Sequence, residues 1–169
     1  DYGLVYTEID RIDESGKILD KKYFKNESNS FSESFEDYLV YAPFRAPCTW
    51  LYRRNLYQER EKMYNVGDFP LLLDILAKSK IHFLGDVTAN YRVLTNSASH
   101  FTDLSKLYSF MKGIFEIQMD YAYKYNVSPV IIDKIQTNFA WLSYNFAVAE
   151  NDKEQIKAAN KILIGHPEL

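Results

Sequence analysis

Apolar and β-favouring residues dominate the opening of the chain: Leu4, Val5, Tyr6, Thr7 and Ile9 predict a strand from Gly3 to Ile12. "DESGK" (Asp13–Lys17) breaks it with a turn, for which Gly16 supplies the permissive backbone. "ILDKKYF" (Ile18–Phe24) reads as a short second strand. The polar, Ser/Asn-rich stretch from Lys25 to Ser34 reads as a mobile connection. Ser34, with Asp37 three residues later, is placed to cap a short helix that runs to Tyr41. Pro43 and Pro47 bracket a loop, and Cys48–Tyr57 reads as a strand running into a turn.

At Asp68 the pattern changes to a mainly apolar helix carrying Phe69, Leu72, Leu73, Ile75 and Leu76. It is expected to end near Lys78 and Lys80, where lysines suit the negative end of the helix dipole. Lys80–Leu84 predicts a strand, Gly85 and Asp86 a turn, and Val87–Leu94 another extended run. Beyond His100 the spacing is helical: Leu104, Leu107, Tyr108, Met111, Ile114, Phe115 and Met119 share one face of a helix over 103–126. Ser128 and Pro129 form an N-cap and N1 pair for a second helix that reaches about Glu150. Asp152 caps a third, which stops at Gly165. The expected fold class is therefore α/β, with mixed strands and helices over 1–100, followed by an all-α region over 101–169. The first part has fewer strands than an independent sheet needs, so further strands are expected upstream. The abrupt β-rich start, "DYGLVYTEID", reads the same way.

With 169 residues, 47% apolar and 25% charged, the chain is long enough for about one domain and apolar enough to bury a core. A net charge of −3 argues against general nucleic-acid binding, which calls for a basic face. The single cysteine, Cys48, cannot form an internal disulfide, which fits a reducing, cytoplasmic setting. Cys48 reads as a small buried residue without a His partner for nucleophilic work. No apolar run is long enough to span a bilayer.

Candidate chemistry is concentrated around Asp68. An Asp at a helix start accepts backbone N–H bonds and meets the positive dipole end. The same position suits a general base, with Gly67 leaving room for a substrate and one oxygen capping while the other faces an acceptor. Arg92, after Tyr91, is either an exposed strand end or a planar fork for oxyanions. Trp50 is either core or an aromatic face for a sugar ring.

The order of these pieces resembles the second half of a family 2 glycosyltransferase of the GT-A fold. "DYGLVYTEIDRIDESGKIL" is similar to the segment that leaves the nucleotide-binding half. "APCTWLYRRNLY" resembles the small-residue strand with an Arg-rich end. "GDFPLLLDILAKSKIHFLGDVTANYR" resembles the family's Asp-containing helix and Tyr-Arg block, and "VLTNSASH" its Ser-x-Ser segment. The match covers roughly residues 1–100.

The resemblance implies that Asp68 is the general base of an inverting transfer from a nucleotide-sugar donor to a saccharide or lipid-linked acceptor. It implies that Arg92, Ser97 and Ser99 contact phosphate, and that Trp50, Arg53 and Gly67 border the acceptor cleft. It makes His100 the candidate ligand of a divalent cation, Mn or Mg. The family holds its donor diphosphate and metal with an Asp-x-Asp motif, and none occurs in the 169 residues. The chain alone is accordingly expected to be inactive. The implied setting is bacterial cell-surface polysaccharide synthesis on the cytoplasmic side, with possible peripheral attachment to the inner face of the membrane.

The tail "AWLSYNFAVAENDKEQIKAANKIL" resembles a tetratricopeptide-type hairpin, present once and without a repeat. Its lysines are interspersed with acids, so strong attraction to anionic lipid is not indicated. The competing reading is a non-catalytic helical interaction domain on a small α/β scaffold. The position of Asp68 separates the two, because a base must open into a cleft.

Overall fold

A computed structural model describes residues 2–26, 34–60, 62–94 and 103–165. Strand β1 (Tyr2–Ile12) is its centre. Strand β4 (Lys80–Arg92) lies parallel along nearly its whole length. On the other side, β2 (Ile18–Asp20) and β3 (Leu51–Tyr52) pair antiparallel with the far and near ends of β1. The described residues thus form a mixed sheet of four strands. Short helices α1 (Tyr23–Asn26) and α2 (Phe35–Tyr41) follow β2, and α3 (Asp68–Leu76) precedes β4. Helices α4 (Leu104–Lys124), α5 (Pro129–Ala149) and α6 (Lys153–Leu163) complete the chain. The fold is α/β followed by helices, as the sequence predicts.

Four local expectations change. Only Ile18–Asp20 of the second run is strand. Lys22 adopts φ 52°, which ends the extended run. The buried Glu8 carboxylate then accepts the Phe24 and Lys25 amides at 2.8 and 3.0 Å, starting α1 instead. The expected strand over Cys48–Tyr57 shrinks to Leu51–Tyr52, flanked by 3₁₀ turns at Pro47–Thr49 and Arg54–Leu56. Cys48 sits in the first turn and is exposed, not buried. The expected turn at Gly85 and Asp86 is absent, and β4 continues through it. Thr7 pairs with Leu84, Glu8 with Val87 and Ile9 with Ala89, so the extra residues of β4 are taken up as bulges.

The helices follow their sequence signals closely. Ser34 Oγ accepts the Asp37 amide at 3.0 Å, and Asp103 accepts the Ser105 and Lys106 amides. Asp152 does the same for Glu154 and Gln155. Ser128 holds the N-cap position of α5 without a side-chain bond, leaving Pro129 to set the first turn. Asn126 and Asn151 occupy the left-handed region (φ 47° and 57°) and close the ends of α4 and α5. Stacked ring pairs hold α4 on α5: Phe115 with Phe139 at 4.1 Å and Tyr108 with Phe146 at 4.3 Å.

One buried cluster draws on both segments of the chain. Leu4 and Ile9 of β1, Leu73 and Ile75 of α3, and Ile117 and Tyr121 of α4 all belong to it. Gln118 on α4 donates to the Leu39 and Val40 carbonyls at the end of α2, at 2.7 and 3.1 Å. Among the described residues, no helix is long and apolar enough to cross a membrane.

Candidate active site

The parallel strands β1 and β4 bring Arg11 and Tyr91 side by side near their carboxyl ends. In open α/β sheets this is where ligands bind, in the crevice beyond the strand ends. A cavity of about 620 Å³ opens there. Its walls come from four further pieces: the loop from Tyr41 to Trp50, the entry to α3, Tyr23 of α1, and the early turns of α4 around Phe110.

Asp68 lies on the α3 wall. It is the first helical residue, while Gly67 takes the N-cap position. Asp68 Oδ1 accepts the Phe69 amide at 2.9 Å. No other partner of this carboxylate occurs among the described residues. The carboxylate therefore satisfies one free amide of the helix start and is half-buried at the cavity. Gly67 is exposed, lines the same wall, and has no atom within 4 Å of where a Cβ would be. Trp50 is half-buried, packs on the core and also lines the cavity.

The structure brings Asp68, Gly67 and Trp50 together and places two other sequence candidates elsewhere. Strand alternation turns Arg92 away from Tyr91. Arg92 Nη1 donates to the carbonyls of Asp13 and Glu14, both at 2.9 Å, which fastens the β1–β2 turn. Arg53 Nε donates to the Tyr2 carbonyl at 2.9 Å and its amide to that of Gly3, so it ties β3 to the start of β1. Neither arginine lines the cavity. Ser97, Ser99 and His100 lie outside the described residues. Among the described residues, no group of three or more His, Cys, Asp or Glu side chains gathers to hold a metal.

Sequence reasoning passed over Arg45, which is 5% exposed and lines the cavity. Its position between Pro43 and Pro47, which each fix a backbone φ in this loop, was the available signal. Arg45 Nε donates to the Tyr38 hydroxyl at 2.9 Å, and Nη1 to the Phe44 carbonyl at 2.7 Å. Burial raises the Tyr38 hydroxyl far above the usual phenol range, against the opposing pull of the Arg45 charge. The oxygen facing Arg45 is accordingly neutral.

Farther along α3, Asp74 is 1% exposed and receives Lys124 Nζ at 3.1 Å. Burial lowers the affinity of Lys124 for its proton, but the bond to Asp74 and its charge outweigh this and raise it overall. Tyr121 is raised too, chiefly by burial and then by the Asp74 charge. No family model, curated protein or solved structure matches the chain.

Proposed function

We propose that this chain forms the acceptor side of an inverting glycosyltransferase. The enzyme would move a sugar from a nucleotide-sugar donor to a hydroxyl of a saccharide or lipid-linked acceptor. The observation that carries the reading is the place of Asp68. The residue that the family 2 resemblance makes the base stands on the wall of a cavity at the carboxyl ends of two parallel strands. Trp50 on the same wall offers a flat apolar face for a sugar ring.

In this reading, Asp68 takes the proton of the acceptor hydroxyl, whose oxygen attacks the anomeric carbon of the donor. The new glycosidic bond forms as the bond to the nucleoside diphosphate breaks. The diphosphate leaves with the electron pair, and the anomeric configuration inverts. The Phe69 amide fixes one oxygen of the base. The described residues do not assemble a donor set for the divalent cation the resemblance implies, so no step is assigned to it. Synthesis of bacterial surface polysaccharide at the cytoplasmic face of the membrane is the setting that goes with the resemblance.

The test is a transfer assay with the full-length protein against a panel of nucleotide sugars and saccharide acceptors. The expected product is a glycoside of configuration opposite to that of the donor. A retained configuration would contradict the role given to Asp68.

A further inference from the structure

The helical region supplies one wall of the cavity, and that wall is apolar where Met111 and Ile114 of α4 form it. Steps of three and four residues along a helix keep side chains on one face. Leu104, Leu107, Met111 and Ile114 follow that spacing and form one stripe. Exposure rises along it: Ile114 is buried, Met111 half-buried, Leu107 37% exposed and Leu104 51% exposed. The stripe starts in the core, forms cavity wall at Ile114 and Met111, and continues into solvent over Leu107 and Leu104.

Single exposed leucines are ordinary on a protein surface. Leu104 and Leu107 differ because they prolong the wall of a cavity. The stripe is a track that an apolar group gains by covering.

What that group is attached to follows from the inner end of the track. The same cavity holds Asp68, read as the base, and Trp50, which offers a face to a sugar ring. Its volume of about 620 Å³ is in the range of sites that enclose a ligand larger than one sugar. A ligand that sets a hydroxyl on Asp68 and fills this space meets Met111 and Ile114 with its remainder. A further hydroxyl placed there loses water without gaining a partner. A hydrocarbon chain loses nothing there and gains with each CH₂ it buries.

We infer that the acceptor is amphiphilic: a saccharide joined to a hydrocarbon chain. The sugar sits at Asp68 and Trp50, and the chain lies on the α4 stripe from Ile114 and Met111 out over Leu107. This rests on the glycosyltransferase reading and selects the lipid-linked acceptor over the free saccharide.

The test is a titration of the 169-residue chain followed by its methionine methyl resonances. Met111 reports on the stripe, and the exposed Met63, which does not line the cavity, serves as control. The probes, kept below micelle-forming concentrations, are methyl glucoside, hexyl glucoside and 1-hexanol. Each buried CH₂ tightens binding by up to about fourfold. Hexyl glucoside should therefore saturate the Met111 shift at a concentration at least about tenfold below that of methyl glucoside. It should also bind more tightly than 1-hexanol, and Met63 should not move. Leu107→Ser changes an exposed position and leaves the core alone. It should cut the preference for hexyl over methyl glucoside by about threefold or more and leave methyl glucoside binding as it was.

Equal binding of methyl and hexyl glucoside by the unsubstituted chain overturns the inference, while the glycosyltransferase reading stands. That comparison needs no variant to fold. Binding of 1-hexanol as tight as that of hexyl glucoside also overturns it, since the stripe would then take hydrocarbon without its sugar. A preference unchanged in Leu107→Ser places the chain elsewhere and overturns it too. So does a Met111 shift that grows with protein concentration without any probe, because a second copy then covers the stripe. If no probe moves Met111, the inference fails, and the separate transfer assay decides the reading beneath it.

Discussion

The Tyr121 hydroxyl donates to the Pro70 carbonyl at 3.1 Å, which ties α4 to the first turn of α3 two residues beyond Asp68. The helical region thus supports the cavity although its sequence carries no chemistry. Tyr121→Phe removes the bond and keeps the ring. The variant should lose about 1 kcal/mol of stability, seen as a lower midpoint in urea with an unchanged slope. If the contact also places Asp68, kcat falls while KM holds.

Lys124 and Asp74 form the second tie between the same helices. Lys124→Met leaves the buried Asp74 carboxylate without its cation, with the Tyr121 hydroxyl still beside it. Because Lys124 is about half exposed, the cost should lie below that of a fully buried pair, at about 2 kcal/mol. Asp74→Leu in the same chain should restore much of it, because the orphaned charge is then gone. A double-mutant cycle in denaturant measures this coupling, and strict additivity would show that the pair does not interact.

Alkaline pH should destabilise the fold. Tyr64 donates to Asp120 Oδ2 at 3.0 Å, and its pKa is pushed up to about 12, first by burial and then by Asp120. Tyr38 and Tyr121 are raised as well, chiefly by burial. In the unfolded chain these hydroxyls ionise near 10.0, while the folded chain holds their protons. Their contribution is complete below pH 10.0 and declines as pH rises, for Tyr64 up to about 12. Lys124 acts in the same direction, because its raised value also makes the folded state the tighter binder of the proton. Urea midpoints at pH 8 and pH 11 should show the drop, and Tyr64→Phe should make it shallower.

Glu8 is fully buried in β1, with Oε1 on the Ile9 and Phe24 amides and Oε2 on the Lys25 amide. Glu8→Gln replaces one acceptor oxygen by an NH₂ group that faces a donor. A loss of about 2 kcal/mol follows, with earlier hydrogen exchange at the amides of Phe24 and Lys25. Unchanged exchange there would remove Glu8 as the organiser of α1.

What could be read from the sequence followed the range of the interactions. Helices α4, α5 and α6 were legible almost to the residue, because Asp103, Pro129 and Asp152 act on the turn beside them. Glu8 was not, because nothing near it in sequence shows that it will serve amides sixteen and seventeen residues away. The turn expected at Gly85 failed for the same reason: pairing with β1 is non-local, and it turned a local breaker into a bulge. At the site, the helix start at Asp68 was readable. Arg92 is the exposed strand end that one of its two readings gave, but its carbonyl partners, Asp13 and Glu14, and that of Arg53, Tyr2, are distant in sequence and were not readable. Arg45 required knowing which loop closes the cavity.

The most direct measurement is sugar transfer by the full-length protein carrying Asp68→Asn, read beside its thermal unfolding. Asn keeps the shape and can still accept the Phe69 amide, so the melting temperature should change little; the lost charge at the helix start costs about 0.5 kcal/mol. Transfer should fall by roughly 10²- to 10⁴-fold, the usual worth of a positioned general base. Transfer at the unsubstituted rate by a folded Asp68→Asn protein would contradict the account, making Asp68 a helix-start residue and returning the α/β part to the role of a scaffold for the helices.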